Sequence, residues 1–398
     1  MAAPPLAGIR VLDISHNLAG PLTGMHLADL GAEVVKLEQP SGDEWRWHER
    51  VPGHPGRSRH YLQANRGKRA LAVDLTRTEG REIARALVRR SDVLVTNLRP
   101  GVPERLGIGW EECRRENPAL VYCAISAFGD RGPLGGRPGY DIVLEARAGF
   151  MPPGWALDGA PPASSPIPIN DTALPLLACT GILAALYERE RSKQGQRVEV
   201  SILGTAVALN AHALVRLEDA PPPVVTFSRA FYRAYRTADG WIAVGAYAER
   251  LARRFCAAIG LPDLLEDPRY RDRADRVARE RELVERIAPI MLGKTTAEWD
   301  DLLAAAGVPA GPVRQRDELF EDPQVWALGL LEEAHDEELG RLTMMAPSVR
   351  LSRTPAQMGA PGRHLGADTR EVLAELGYSH AAIRRLEEAG VVVAREPG

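Results

Sequence analysis

The feature that most constrains the fold is a strand–helix–strand pattern at the N-terminus. Gly8 to Ile14 (GIRVLDI) alternates like a strand and is nearly all apolar on both faces, which suits the centre of a parallel sheet. The turn residues His16 and Asn17 lead into an amphipathic helix from Gly20 to Leu30, stopped by Gly31, and Val34 to Glu38 is the next strand. Glu38 ends that second strand, where a dinucleotide fold keeps its ribose carboxylate. The turn, however, reads HNLAGPLTG and never GxGxxG, so the tight pyrophosphate turn is missing and NAD or FAD is disfavoured.

The rhythm continues. Ala70 to Leu75 is a strand, Asp74 and Thr76 open a helix from Glu79 to Arg90, and Asp92 to Thr96 is a further strand. A short helix around Val102 to Arg105 and a strand from Leu120 to Ser126 complete the pattern of a doubly wound α/β domain. Ala127 to Ile169 breaks it with Gly and Pro clusters, over a length that compact domains reserve for functional loops. A helix from Thr172 to Arg191, a strand from Gln196 to Ser201 and a helix from Leu203 to Leu217 resume the alternation, and Pro221 to Pro223 mark a boundary. Ala230 to Val244 predicts a hairpin turning at Asp239-Gly240, followed by charged helices at Glu249 to Ile259, Arg276 to Met291 and Thr296 to Ala306. The tail carries helices at Thr369 to Glu375 and His380 to Ala389. The 398 residues therefore read as two domains, 1–224 with 331–398 as the larger and 225–330 as a smaller α+β domain.

Composition excludes some classes. The net charge is -3 and no Lys/Arg block outweighs the acids around it, so nothing points to nucleic acid. Cys113, Cys123, Cys179 and Cys256 form no CxxC and have no metal-ligand spacing with His, so they read as buried thiols of a reducing compartment, with no metal site. The first residues lack the pattern of a signal peptide, and no apolar run approaches the roughly 18 residues that span a membrane. A cytoplasmic location is the expectation.

Asp171 stands where the extended segment PIPIN gives way to apolar residues at helical spacing (Leu174, Leu177, Ala178, Ile182, Ala185), so its side chain is expected at a helix N-cap. Spacing leaves two readings open: a cap alone, or a cap that also does chemistry.

Several stretches together resemble the family III CoA-transferases of the CaiB/BaiF type, the group that includes formyl-CoA transferase and the divergent α-methylacyl-CoA racemase. They are GIRVLDISHNLAGP (8–21), DLGAEVVKLEQPSGD (29–43), NRGKRALAVDL (65–75), DVLVTNLRPGVPERLG (92–107), AISAFGDRGPLGGRPGYD (124–141) and NDTALPLLACTGILAALYERERSKQGQRVEVSI (170–202). YRTADGWIAVGA (235–246), EWDDLLAAAGVPAGPV (298–313) and the segment 365–392 follow in unbroken order, so the likeness covers nearly the whole chain. It implies a Rossmann-like α/β large domain built from both termini, a small α+β domain between, and an interlocked homodimer. Acyl-CoA and a carboxylic acid are then substrates, with no permanently bound cofactor.

The resemblance puts the catalytic aspartate ten residues before the Gly of GILAAL, which is Asp171. An enzyme carboxylate that attacks a thioester splits a hard transfer into easier steps through aspartyl anhydride and aspartyl-CoA intermediates. A helix N-terminus is expected to keep it ionised, and the same N–H groups to support an oxyanion. CoA contacts map to His16, Leu18 and Ala19, to Val73, Asp74, Leu75 and Thr76, to Asn97, Leu98 and Arg99, and to Arg105, Arg137 and Tyr140. Arg105 and Arg137 are the type of cation that phosphates need.

Departures from the pattern matter. Formyl-CoA transferase has Gln where this chain has Leu18 and a basic residue where it has Gln39, and its Gly-rich loop is replaced by PPPVVTFSRAFYRAY, so a formyl or oxalyl substrate is not expected. The racemase alternative needs a His in GHD and a later Glu; here those positions are Gly139-Tyr140-Asp141 and Ala248, with Glu249 adjacent. A non-catalytic CoA-binding homologue is a second alternative, against which Asp171 itself argues. Glu145 stands where relatives often carry Gln and is a substrate-side candidate near Asp171, while Phe150, Met151 and Trp155 lean towards a larger, partly apolar acyl group.

Overall fold

The computed structural model describes residues 3–151, 162–219 and 228–395; Trp155 and the Pro221 to Pro223 run lie outside these. The chain divides into two compact units, one of Met1–Val215 with Pro323–Gly398 and one of Arg216–Asp322. The large unit contains β1 (Arg10–Ile14), β2 (Glu33–Glu38), β3 (Lys68–Val73), β4 (Val93–Thr96), β5 (Val121–Ser126) and β6 (Arg197–Ser201). The smaller one contains β7 (Tyr232–Arg236), β8 (Trp241–Gly245) and β9 (Ala310–Pro312), and the C-terminal stretch adds β10 (Leu331–Asp336), β11 (Gly340–Met345) and β12 (Val392–Val393) to the large unit.

The large sheet runs in the order β12-β3-β2-β1-β4-β5-β6, parallel except for β12, which is antiparallel to β3. This is the doubly wound order, with its switch point between β1 and β4, so a crevice opens beyond the ends of Ile14 and Thr96. Alternation along the strands feeds two cores: Leu12, Ile14, Leu71 and Leu94 pack with Ile83, Leu87 and Leu373 on one face, and Val11, Val34, Val93 and Val121 with Leu27, Leu174 and Ile182 on the other. Each such side chain contributes about 1.5–3 kcal/mol by burial.

Asp13 breaks the apolar pattern. It follows Leu12 on the Val11 face, is fully buried, and meets two buried ammoniums on the same side. Lys68 Nζ donates to Asp13 Oδ2 (2.8 Å), the Pro21 carbonyl (2.7 Å) and Asn65 Oδ1 (2.9 Å), while Lys36 Nζ lies 3.9 Å from Asp13 Oδ1. The Ala19–Asp29 helix crosses this cluster, and glycine makes the crossing possible. A Cβ at Gly24 would stand 2.6 Å from Asp13 Oδ2, and one at Gly20 would stand 2.3 Å from the Ser15 Cβ.

Most elements differ from the sequence reading only at their ends. The strand read as starting at Ala70 begins at Lys68, whose side chain is buried and bonds Asp13, so this polar residue lies inside the strand. The helix read as starting at Thr172 spans Ile169–Ser192, and the one read as reaching Leu217 stops at Leu209. The long Gly/Pro segment contains a helix, Asp141–Arg147, and the helix Trp110–Glu116 and the hairpin β10–β11 carried no signal strong enough to read. In the smaller unit β7 and β8 do turn at Asp239-Gly240, and Asp239 Oδ1 also accepts the Thr296 N–H (2.8 Å), joining the hairpin to the start of the Thr296–Ala305 helix. The four cysteines are free and buried.

One described helix, Ile169–Ser192, does have the length and apolarity (mean hydropathy 1.5) to cross a membrane, contrary to the expectation that no run comes close. Leu174, Ala178, Ile182 and Ala185 nevertheless form a buried stripe on the sheet, as in a core helix.

Lys68→Met should lower the stability of the large unit by about 3–5 kcal/mol, because it leaves a buried carboxylate short of its closest partner. Arg114→Ala, which breaks the exposed pair with Glu111, should cost less than about 1 kcal/mol. Urea unfolding of the two variants against the parent checks the contrast.

Candidate active site

The crevice at the switch point is a cleft of about 600 Å³ lined by Ile14 to His16, Leu37 to Glu44, Val73 to Thr76, Leu98 and Leu106. It brings together His16, Val73, Asp74, Leu75, Thr76 and Leu98 of the residues expected to contact CoA. Leu18 and Ala19 are outside this lining, at the N-cap and first position of the Ala19–Asp29 helix, with Ala19 buried. Asn97 acts on the backbone: its Oδ1 accepts the His16 N–H (2.9 Å) and its Nδ2 donates to the His16 carbonyl (2.7 Å). Burial, then the nearby Lys36 ammonium, hold the His16 imidazole below its ordinary pKa, so it is neutral at physiological pH.

Asp74 closes a small turn by accepting both the N–H and the hydroxyl of Thr76 (2.9 and 2.6 Å). Arg99, Arg105 and Arg137 are exposed, and among the described residues none makes a side-chain hydrogen bond or ion pair, which leaves three cations uncommitted. Tyr140 is 71% exposed.

The stretch Glu38 to Glu44 was missed as cleft lining, although Glu38 was visible at the end of β2. Its carboxylate is taken by Arg46 (2.8 and 2.6 Å) and the Tyr61 hydroxyl (2.6 Å), so it has no role left as a ribose ligand. Gln39 donates to the Gly42 carbonyl (3.3 Å) and shapes the same loop.

Asp171 lies at the third position of the Ile169–Ser192 helix and is not the N-cap, which is Pro168. The physical reason is a neighbouring carboxylate: Asp141 Oδ1 accepts the N–H groups of Asn170 (2.8 Å) and Asp171 (2.9 Å), so the helix start is satisfied from outside. Those N–H groups are therefore not open to an oxyanion. Four residues on, Pro175 lacks the N–H that would bond the Asp171 carbonyl.

The electrostatics run against the sequence expectation too. Burial, then the Asp141 charge, push the Asp171 carboxyl up to about 7, outweighing the helix N-terminus. Glu145 is buried at 1% exposure and is not a surface charge; burial, then its hydrogen bond with Asp141, raise it, and its Oε2 accepts the Ser165 N–H (2.8 Å). The i,i+4 spacing of Asp141 and Glu145 was the legible signal for this pairing. Asn170 is fully buried with neither side-chain polar atom bonded.

In the smaller unit, Glu249 is held by Arg276 (2.7 and 3.0 Å) and starts a helix, so it does not supply the carboxylate absent at Ala248. Among the described residues no His/Cys/Asp/Glu group could hold a metal ion.

The raised Asp171 carboxyl makes a signed prediction. Between about pH 4 and 7 the folded chain keeps a proton that the unfolded chain has lost, so stability falls as pH rises through this window. Asp171→Asn should therefore be more stable than the parent by on the order of 2–4 kcal/mol at pH 8, with the difference vanishing near pH 4. Chemical unfolding at the two pH values measures it.

Comparison with known proteins identifies the family. The family described as CoA-transferase family III matches residues 6–369. The chain is 33% identical over 400 residues to succinyl-CoA:glutarate CoA-transferase of Mus musculus, covering 98% of this chain and 91% of that protein. It is 34% identical over 390 residues to succinyl-CoA–D-citramalate CoA-transferase of Chloroflexus aurantiacus, covering 94% of each. A CAIB/BAIF family protein from Brucella suis superimposes with a TM-score of 0.83 at 28% identity, over 94% of this chain and 100% of that one. The chain belongs to CoA-transferase family III.

Proposed function

We propose that this family III member moves CoA from an acyl-CoA thioester to a carboxylic acid, with Asp171 as the covalent nucleophile. The observation that carries the reading is the Asp171 carboxyl itself: half-buried at the first turn of its helix, raised to about 7 beside Asp141, and set in the NDTALPLLACTGILAAL stretch. A carboxylate of that basicity is ionised in good part at neutral pH and is a better nucleophile than an ordinary one.

In the first step the Asp171 carboxylate attacks the donor thioester carbonyl, the C–S bond breaks, and an Asp171–acyl anhydride and CoA thiolate result. The thiolate attacks the Asp171 carbonyl of the anhydride, which releases the donor acid and leaves an Asp171–CoA thioester. The acceptor carboxylate attacks that thioester and expels the thiolate again, and thiolate attack on the acceptor carbonyl gives the new acyl-CoA and restores Asp171. No net proton or electron is needed.

The nucleotide end of CoA is placed in the switch-point cleft, where His16, Val73 to Thr76 and Leu98 meet, with Arg99, Arg105 and Arg137 as uncommitted partners for its phosphates. A second copy of the chain is placed on the apolar side chains left exposed along the nucleophile's helix, Leu176, Leu177, Leu183 and Tyr187. Relatives named for succinyl-CoA with glutarate or citramalate make dicarboxylic acids the first acceptors to try. Glu145, whose carboxyl bonds Asp141, is the residue through which acceptor choice is expected to vary.

Asp171→Asn should lower kcat at least about a thousandfold while leaving the fold and CoA affinity near the parent's. Transfer from succinyl-CoA to a panel of acids, followed by mass spectrometry of the acyl-CoA products, measures it; a variant that keeps a tenth of the activity would refute the nucleophile.

A further inference from the structure

The chain has four lysines against forty-six arginines, and two of the four lie side by side in the interior, at 0% exposure for Lys36 and 3% for Lys68. Lys36 Nζ donates to the Ser15 carbonyl and stands 3.6 Å from Asp43 Oδ2 and 3.9 Å from Asp13 Oδ1. From there the bonds converge on one turn, Ser15 to Asn17, at the mouth of the switch-point cleft. Asp13 Oδ1 accepts the Ser15 N–H (3.0 Å), Asn97 takes the His16 N–H (2.9 Å) and donates to the His16 carbonyl (2.7 Å), and both Asp43 oxygens lie 3.1 Å from the Asn17 N–H. Five of the six main-chain polar groups of the turn are thus held by side chains from β1, from β2 and from the loops after β2 and β4. Asn17, at φ 64°, is in the left-handed region that an unsupported asparagine leaves readily.

Stability alone does not account for this arrangement. Buried ion pairs are no better for stability than apolar residues of the same size, and the surrounding strand positions are apolar. What such an over-determined turn supplies is one fixed conformation before a ligand arrives, which saves the ordering cost at binding. Lysine suits the position because its ammonium is a compact point donor, whereas a planar guanidinium would have to fit its fork between two carboxylates and a carbonyl in close-packed surroundings.

We propose that Lys36, with Asp43 and Asn97, is a positioning set that preorganises the Ser15 to Asn17 turn to receive acyl-CoA. The inference rests on the placement of CoA in the switch-point cleft. These residues act through the turn's backbone and not on the reacting atoms.

Hydrogen exchange of the full chain with and without CoA, together with CoA titration and steady-state kinetics, tests it with Lys36→Met, Asp43→Ala and the conservative Asp43→Asn. In the parent, the Ser15 to Asn17 amides should exchange slowly without ligand and slower still with CoA. In Lys36→Met and Asp43→Ala, ligand-free protection of the turn should fall at least tenfold while the distant strands β5 and β6 keep theirs. The Kd for CoA and the KM for acyl-CoA should rise at least tenfold, with kcat changed less than threefold, and Asp43→Asn, which keeps an acceptor, should recover most of the affinity. Unchanged Kd in variants whose turn has lost protection would overturn the inference, as would a turn that stays protected. If Lys36→Met fails to fold, the Asp43→Ala and Asp43→Asn pair carries the same comparison. No CoA-dependent protection of the cleft in an active parent would instead overturn the placement of CoA, and the positioning role with it.

Discussion

A carboxylate buried in a parallel sheet must be answered by charge, and the answer given to Asp13 organises the large unit. Its partners come from the two neighbouring strands, Lys36 on β2 and Lys68 on β3. Burial alone would raise the Asp13 carboxyl, but the two ammoniums hold it below the usual carboxylate range; burial in turn brings Lys68 down to about 8. The Ala19–Asp29 helix is tied to the same cluster through the Pro21 carbonyl and crosses it where Gly24 leaves room. The first strand, the first helix and the turn between them are therefore fixed by one set of charges, and the cleft begins at that turn.

The second organising contact is the Asp141 carboxylate on the start of the Ile169–Ser192 helix. It caps that helix from a different element and, by its charge, adds to the rise in the Asp171 carboxyl that burial begins. A self-capping aspartate would be stabilised as an anion by its own helix and would be a weak nucleophile. Capping by a neighbour leaves the Asp171 carboxyl out of the cap and more basic, as the proposed nucleophile requires.

Much of the architecture was legible in the sequence because it rests on local patterns. The apolar runs of β1, β2, β4 and β5 and the Asp239-Gly240 turn needed no tertiary knowledge. What the sequence hid was set by contacts between distant residues. Lys68 lay outside the strand read from Ala70, and Asp141 fell within the long Gly/Pro segment; Lys68 is buried against Asp13 and Asp141 against the start of the Ile169–Ser192 helix, partners far away in sequence. Asp171 was expected at the N-cap and is not there, since nothing local shows that Asp141 reaches the helix start across 30 residues of sequence. Asn97 was read as a ligand contact, and the bonds it makes are to the His16 backbone.

The central claim is that the Asp171 carboxylate becomes covalently joined to both acyl group and CoA. In that course one acceptor oxygen stays on Asp171 when the new thioester leaves. Turnover with an acceptor acid labelled in its carboxylate with ¹⁸O, followed by proteolysis and mass spectrometry of the Asp171 peptide, tests it directly. The account predicts that ¹⁸O accumulates on Asp171 and then appears in the released donor acid. Full turnover with no label on Asp171 or in the donor acid would contradict it.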